Sequence, residues 1–138
     1  MAIINTFAKC LESPYLVADP TAPDRIGSLL SLAGDRLEAA ANLRDGGDQA
    51  DVVSFSYEAM FACVRALVYA RGYREMGLRC LLLACDEFYV RPGLLDPVHI
   101  HAMERAQAFK ADPGECLAAA SAFVKRTLEL LSQVPAKA

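Results

Sequence analysis

At 138 residues the chain has the length of one ordinary domain and can build a core without disulfide or metal staples. A formal charge of −3 excludes the broad basic footprint that attracts phosphate backbones, so any nucleic-acid contact has to be local. With 54% hydrophobic and 22% charged residues, the composition is more apolar than a monomer of this size requires, which points to a contact between copies of the chain.

The first short amphipathic segment places Ile3, Ile4, Phe7, Ala8 and Leu11 on one face and stops at Ser13-Pro14, because a residue before proline is pushed out of the helical region. Its start has no basic n-region, and Asn5 and Lys9 interrupt the apolar run, so no secretory signal is expected and a cytoplasmic location is. A second helix is predicted after Thr21, with Asp24 at capping-box spacing and a stripe of Ile26, Leu29, Leu30, Ala33, Leu37, Ala40 and Ala41. The "DGGD" run ends it.

Asp48 is placed to cap a third helix running to about Arg71, with small and apolar residues around most of its circumference; this is the expected central helix. Gly72 supplies a left-handed stop, and "REMGLRCLLLACDEFYV" reads as a fourth helix with Glu75 paired to Arg79 on its exposed side. After the turn "RPGLLDP", Asp96-Pro97 and Asp112-Pro113 each put a capping carboxylate before a proline at the first helical position, with Glu115 completing a capping box. The last helix is expected to bury Leu117, Ala120, Val124, Leu128 and Leu131 and to end before Pro135.

No strand pattern is found. The reading is all-α: an up-and-down bundle of four to five main helices behind a short N-terminal helix, as short connections imply. It forms one domain over residues 1–138 with its core over 22–134. The two most apolar stretches are broken by Arg65, Arg79 and Asp86 and fall short of ~18 uninterrupted apolar residues, so no membrane span or membrane partner is expected.

Five cysteines, Cys10, Cys63, Cys80, Cys85 and Cys116, are odd in number and form no C-x-x-C pair. They are expected to be buried free thiols, with neither a disulfide nor a zinc framework. Asp51, Glu58 and Arg65 recur every seven residues beside Ser54, forming one polar line on the third helix that serves either as a solvated face or ion pair or as a groove or subunit contact. His99 and His101, two residues apart, point about 200° away from each other and cannot share one ion. A partly packed His99 and a solvated His101 beside Arg105 are expected, and no metal site. Arg71, Arg74 and Arg79 gather near the turn after the third helix, each with an ordinary explanation and a lesser one as an anion site. Lys125, Arg126 and Lys137 read as a solvated face. No H-E-x-x-H, G-x-S-x-G or phosphate-cradling glycine loop occurs, which leaves metal, serine and P-loop catalysis without support and implies no cofactor.

The run "SFSYEAMFACVRALVYARGYR" followed by "GLRCLLLACDEFYV" resembles the HEPN family of small helical-bundle domains, over roughly Ile26 to Leu131. The resemblance implies a four- or five-helix bundle, commonly a symmetric homodimer. Many members are metal-independent RNases or toxins partnered with nucleotidyltransferase-like proteins; others bind nucleotides or act as non-catalytic modules. In active members an arginine, a polar residue and a histidine four to six residues further on face the dimer mate. By position that motif begins here at Arg105, yet Ala106 follows it and Lys110, Ala111 and Asp112 occupy the places open to the histidine. RNA cleavage through a 2′-hydroxyl needs a proton acceptor near neutral pH, and a lysine with a reference pKa near ~10.4 is a poor one.

The resulting expectation leans away from an enzyme. It is a degenerate, homodimeric HEPN-like binding or interaction module, with Arg105 and Lys110 as candidate anion or RNA contacts. Glu58, Arg65, Arg79 and His101 are candidate groove or interface residues. Candidate partners are a second copy, a nucleotidyltransferase-like protein, and RNA or a nucleotide, the last two without help from net charge. The alternatives are an RNase toxin of a toxin–antitoxin pair using His99 or His101 in an altered site, and a structural subunit of a larger complex.

Overall fold

A computed structural model describes residues 4–133; the predicted roles of Ile3, Pro135 and Lys137 lie outside the described residues. Among the described residues six α-helices form a bundle: α1 (Phe7–Glu12), α2 (Ile26–Leu43), α3 (Gln49–Tyr69), α4 (Leu78–Cys85), α5 (Val98–Gln107) and α6 (Pro113–Gln133). Two three-residue strands, β1 (Leu16–Ala18) and β2 (Tyr73–Glu75), pair antiparallel with Val17 opposite Arg74.

Several helix boundaries follow from the local chemistry anticipated in the sequence. The Asp48 carboxylate accepts the Ala50 N–H at 2.8 Å at the head of α3, and Gly72 follows its last turn at φ +81°, a conformation glycine adopts without a Cβ penalty. Asp96 accepts from the Val98 N–H at 2.9 Å, and Asp112 from the Glu115 N–H at 3.0 Å, so both Asp-Pro pairs work as helix starts. The capping box at Thr21 and Asp24 is not formed. Thr21 turns its hydroxyl and its N–H back onto Asp19 Oδ1 at 2.7 and 2.9 Å, and a 3-10 turn over Ala22–Arg25 leads into α2 instead.

The fourth helix also begins later than expected, at Leu78, because Tyr73–Glu75 is drawn into the sheet. The predicted Glu75–Arg79 pair is therefore absent, and Arg79 Nε instead donates to the Ile4 carbonyl at 2.8 Å. Beyond Cys85 the helix widens into a π-helical stretch, Asp86–Val90.

α3 is the central helix. By length and mean hydropathy, 1.3, it could cross a membrane, but 67% of that stretch is buried within the bundle, as a core helix requires. α2 lies antiparallel beside it, with Arg36 beside Glu58 and Ala40 packed with Val52. α4 follows α3 in the same sense: Cys63 neighbours Cys85, and one turn further on the Tyr89 hydroxyl donates to the Leu67 carbonyl at 2.6 Å. α6 also accompanies α3, with Cys116 against Ser56 and Thr127 against Cys63.

α6 buries Cys116, Leu117, Ala120, Phe123, Thr127 and Leu130, with Val124 and Leu131 partly buried against the core. The expected stripe holds except at Leu128, which is 49% exposed; Thr127 takes the inward place, and both positions continue a helical period.

Cys10 and Cys80, 70 residues apart, are joined by a disulfide with Cα atoms 5.7 Å apart. This overturns the expectation of five free thiols: α1 docks on α4 with both cysteines in the contact, a juxtaposition that sequence spacing does not encode. Cys63, Cys85 and Cys116 are free and buried. Burial pushes the Cys63 thiol up to about 11 and the Cys85 thiol up to about 12, so both are held as neutral apolar groups. The buried hydroxyls of Ser56 and Thr127 have no conventional hydrogen-bond partner among the described residues; sulfur is what they face.

Candidate functional site

The side chains singled out in the sequence fall into three places. The first is the end of α5. Arg105 lies in its last turn, exposed, and the Lys110 N–H closes onto the Arg105 carbonyl at 2.9 Å while the Phe109 N–H bonds the Ala106 carbonyl at 3.1 Å. These two bonds form a Schellman termination, with Phe109 in the left-handed position at φ +55°, normally taken by glycine. Phe109 is also 70% exposed. Arg105 and Lys110 are thus joined through the backbone of this turn, with the exposed Phe109 between them in sequence. Cys116 lies close enough to feel the Arg105 charge.

The second place is a groove of about 470 Å³ between α4, with its π-helical extension, and α5. Arg79 and His101 come together here, with Asp86, Glu104 and Gln107 as further polar lining over a floor that includes Leu82 and Ile100. Asp86, Glu104 and Gln107 had not been singled out. The available signal was a pair of facing stripes, Leu78, Leu82, Asp86 and Val90 on one helix and Pro97, His101, Glu104 and Gln107 on the other, each at three- or four-residue spacing.

His99 takes no part in either place. Its ring stacks on Phe123 with centroids 5.1 Å apart and planes 21° apart. Burial holds its pKa below the ordinary value, with Arg126 adding to the effect and Asp96 opposing it. His101 is exposed, as expected from the half-turn between them. No cluster of three or more His, Cys, Asp or Glu side chains suited to a metal occurs among the described residues.

The third place is the polar line of α3, which the fold divides. Glu58 pairs with Arg36 of α2 at 2.8 Å on an exposed surface. Arg65 instead reaches Glu75 of β2 at 2.6 Å and lies over the Phe61 ring, 4.6 Å from its centroid. Glu75 is 6% exposed and also accepts from the Tyr69 hydroxyl at 2.6 Å. Burial, then the bond to Glu75, pushes the Tyr69 phenol up to about 12. A buried ion pair between Glu58 and Arg65 is excluded by these partners. The groove that Glu58 and Arg65 do share, with Tyr57, Phe61 and Leu32, is shallow and on the outer face of α2 and α3.

The three arginines after α3 do not converge. Arg71 lies over Tyr89 and Phe88, at 4.8 and 5.5 Å from the ring centroids, Arg74 pairs with Asp19 at 3.0 Å, and Arg79 holds Ile4. Each guanidinium is engaged with a different part of the fold rather than with a common anion site.

Compared with known families, residues 26–96 match the HEPN domain, just over half of the chain. The chain belongs to the HEPN family. The HEPN match takes in α2, α3, β2 and α4 and stops at the cap of α5, so Arg105, Lys110 and the α5 wall of the groove lie beyond the HEPN-matched residues. Neither a curated protein nor a solved structure matches the chain.

Proposed function

We propose that this HEPN-family chain is a non-catalytic binding module that works as a homodimer. The observation that carries the reading is the surrounding of Arg105: Ala106 after it is buried, and Lys110 stands where a histidine would follow. His99 is turned onto Phe123, away from any nucleotide that Arg105 could hold. A guanidinium and an ammonium beside an exposed phenyl ring can hold a phosphate and stack a base. They supply no group that takes up and returns a proton near neutral pH. The exposed apolar side chains, among them Leu94, Val98 and Phe109, support a contact with a second copy or with a nucleotidyltransferase-like partner protein.

The test is RNA cleavage by the purified chain, with Arg105→Ala alongside. The reading expects no cleavage above background, weaker RNA or nucleotide retention in Arg105→Ala, and a dimer by light scattering. Cleavage that Arg105→Ala abolishes would refute it.

One observation favours the enzymatic alternative, an RNase toxin with an altered site. His101 is exposed and precedes Arg105 by one helical turn on α5, so an imidazole and a guanidinium share a helix face in reversed order. In that case His101→Ala relieves growth arrest caused by expression, and His99→Ala does not.

A further inference from the structure

We propose that the N-terminal stretch from Ile4 to Tyr15 is a redox-latched strap, held closed over α4 by the Cys10–Cys80 disulfide and released locally when that bond is reduced.

The strap is attached unevenly. Its last residue is held by the Met76 N–H on the Tyr15 carbonyl at 2.7 Å, and the chain directly after it by the sheet, by the Asp19 N–H on the Gly72 carbonyl at 2.7 Å and by the Arg74–Asp19 ion pair at 3.0 Å. Its N-terminal part has the disulfide, the Arg79 bond to the Ile4 carbonyl, and the Phe7 ring edge-on to Phe88 and Tyr73 at 5.2 and 6.3 Å. α1 itself has six residues, far below the length at which an isolated helix holds in water. Beside the sulfur bridge, the docking of α1 includes the Arg79 hydrogen bond, the two Phe7 ring contacts and the apolar packing of Ile4 and Phe7, and the disulfide is the covalent member of that set.

The bundle does not depend on the strap in the same way. α2, α3, α5 and α6 meet one another through Ala40, Val52, Met60, Phe123 and their neighbours, while the strap adds Cys10, with Ile4 and Phe7 packed beside it, to the same core. Opening is therefore confined to the stretch before β1, with the chain pivoting ahead of the sheet. It uncovers the faces of Phe88 and Tyr73 and frees the Arg79 guanidinium at the rim of the α4–α5 groove. Whether or not that groove holds a ligand, the change is in which side chains face water.

The chemistry is thiol–disulfide exchange with a dithiol reductant. A reductant thiolate attacks one sulfur of the bridge and displaces the other as a thiolate; its second thiol then resolves the mixed disulfide. The net transfer of two electrons and two protons leaves Cys10 and Cys80 as thiols and the reductant as its cyclic disulfide. Cys63, Cys85 and Cys116 are already reduced and buried, so the added dithiol acts on one bond.

Limited trypsin digestion of the full chain, with and without dithiothreitol and read by intact mass, tests the strap. Cleavage after Lys9 should be about tenfold faster or more in the reduced protein, because cutting follows the population of the open form. The helices from α2 to α6 should stay whole. Cys10→Ser and Cys80→Ser should each show the fast rate with and without reductant. Alkylation of the denatured, unreduced chain should modify the three cysteines outside the bridge and leave Cys10 and Cys80 unmodified. Equal cleavage rates in the two redox states would overturn the proposal, as would cuts throughout α2 to α6 on reduction, which would mark the bond as a staple of the whole fold. Alkylation of all five cysteines in the unreduced chain would overturn it too.

Discussion

The Arg65–Glu75 pair allows an asymmetric test. Glu75 has 6% of its side chain exposed while Arg65 keeps 39%, so the two charges depend on each other unequally. Breaking a fully buried pair by removing one partner costs roughly 3–5 kcal/mol, because the survivor is left unpaired. In Arg65→Ala the survivor is the buried carboxylate, with only the Tyr69 hydroxyl still bonded to it. The partial exposure of Arg65 lowers the cost, since water already screens one side of the pair, and about 2–3 kcal/mol is expected. In Glu75→Gln the survivor is a guanidinium that retains the Phe61 face and reaches solvent, and the new amide can still accept from Tyr69. About 1 kcal/mol is expected there. For a chain of this size 1 kcal/mol moves Tm by roughly 4 °C, which puts Arg65→Ala about 8–12 °C below the parent and Glu75→Gln about 4 °C below it. Thermal and urea unfolding followed by circular dichroism at pH 7 give both values. A loss below about 1 kcal/mol for Arg65→Ala, or one no larger than that for Glu75→Gln, would refute the reasoning, since burial of the carboxylate would then not be what the arginine offsets.

Other outcomes follow from the same geometry. Tyr69 has a folded pKa raised from 10.0 to about 12, so its contribution is whole below pH 10 and is lost as pH rises from there through 12; in alkaline unfolding curves Tyr69→Phe should lose less stability across that window than the parent. His99 has a folded pKa lowered from 6.5, so its neutral ring contributes above that value and the contribution is lost as pH falls through the folded one. His99→Phe, which keeps a ring against Phe123, should flatten the loss on the acid side in denaturant titrations at pH 8 and pH 5. Gly72→Ala meets no atom within 4 Å but keeps φ +81°, and the left-handed backbone should cost about 1–2 kcal/mol in urea unfolding.

The parts of this fold that were legible in the sequence are those written in adjacent residues. Asp48, Asp96 and Asp112 announce helix starts through their own carboxylates, Gly72 announces a stop, and the small and apolar circumference of α3 marks it as central. What was hidden depends on pairs far apart along the chain. The Cys10–Cys80 bond spans 70 residues, and nothing near either cysteine distinguishes it from Cys63 or Cys85. Three-residue strands leave no room for an alternating pattern, so Arg74 and Glu75 of β2 read as the start of a helix; with that came the misplacement of Glu75, whose partner is Arg65 and not Arg79. On α6 Leu128 was misplaced, because it follows Leu117 and Val124 at the same spacing as Thr127 follows Cys116 and Phe123, and only the packing of the helix distinguishes them. At the candidate site, Arg105 and Lys110 were already set apart from His101 in the sequence; the division of the four candidate groove residues into one groove with Arg79 and His101 and another with Glu58 and Arg65 was not visible.

The pairing of α3 with α6 sets an order on how the molecule can be completed as it is made. The wall that covers Ser56, Cys63 and their neighbours is contributed by residues more than fifty positions later, so a nascent chain extended only through α5 presents an unclothed apolar strip on its middle helix. Synthesis at about 5–20 residues per second leaves that strip open for seconds. Over that interval the half-made chain would compete for chaperones, and shortening α6 should lower yield well before it alters any surface that a ligand would meet.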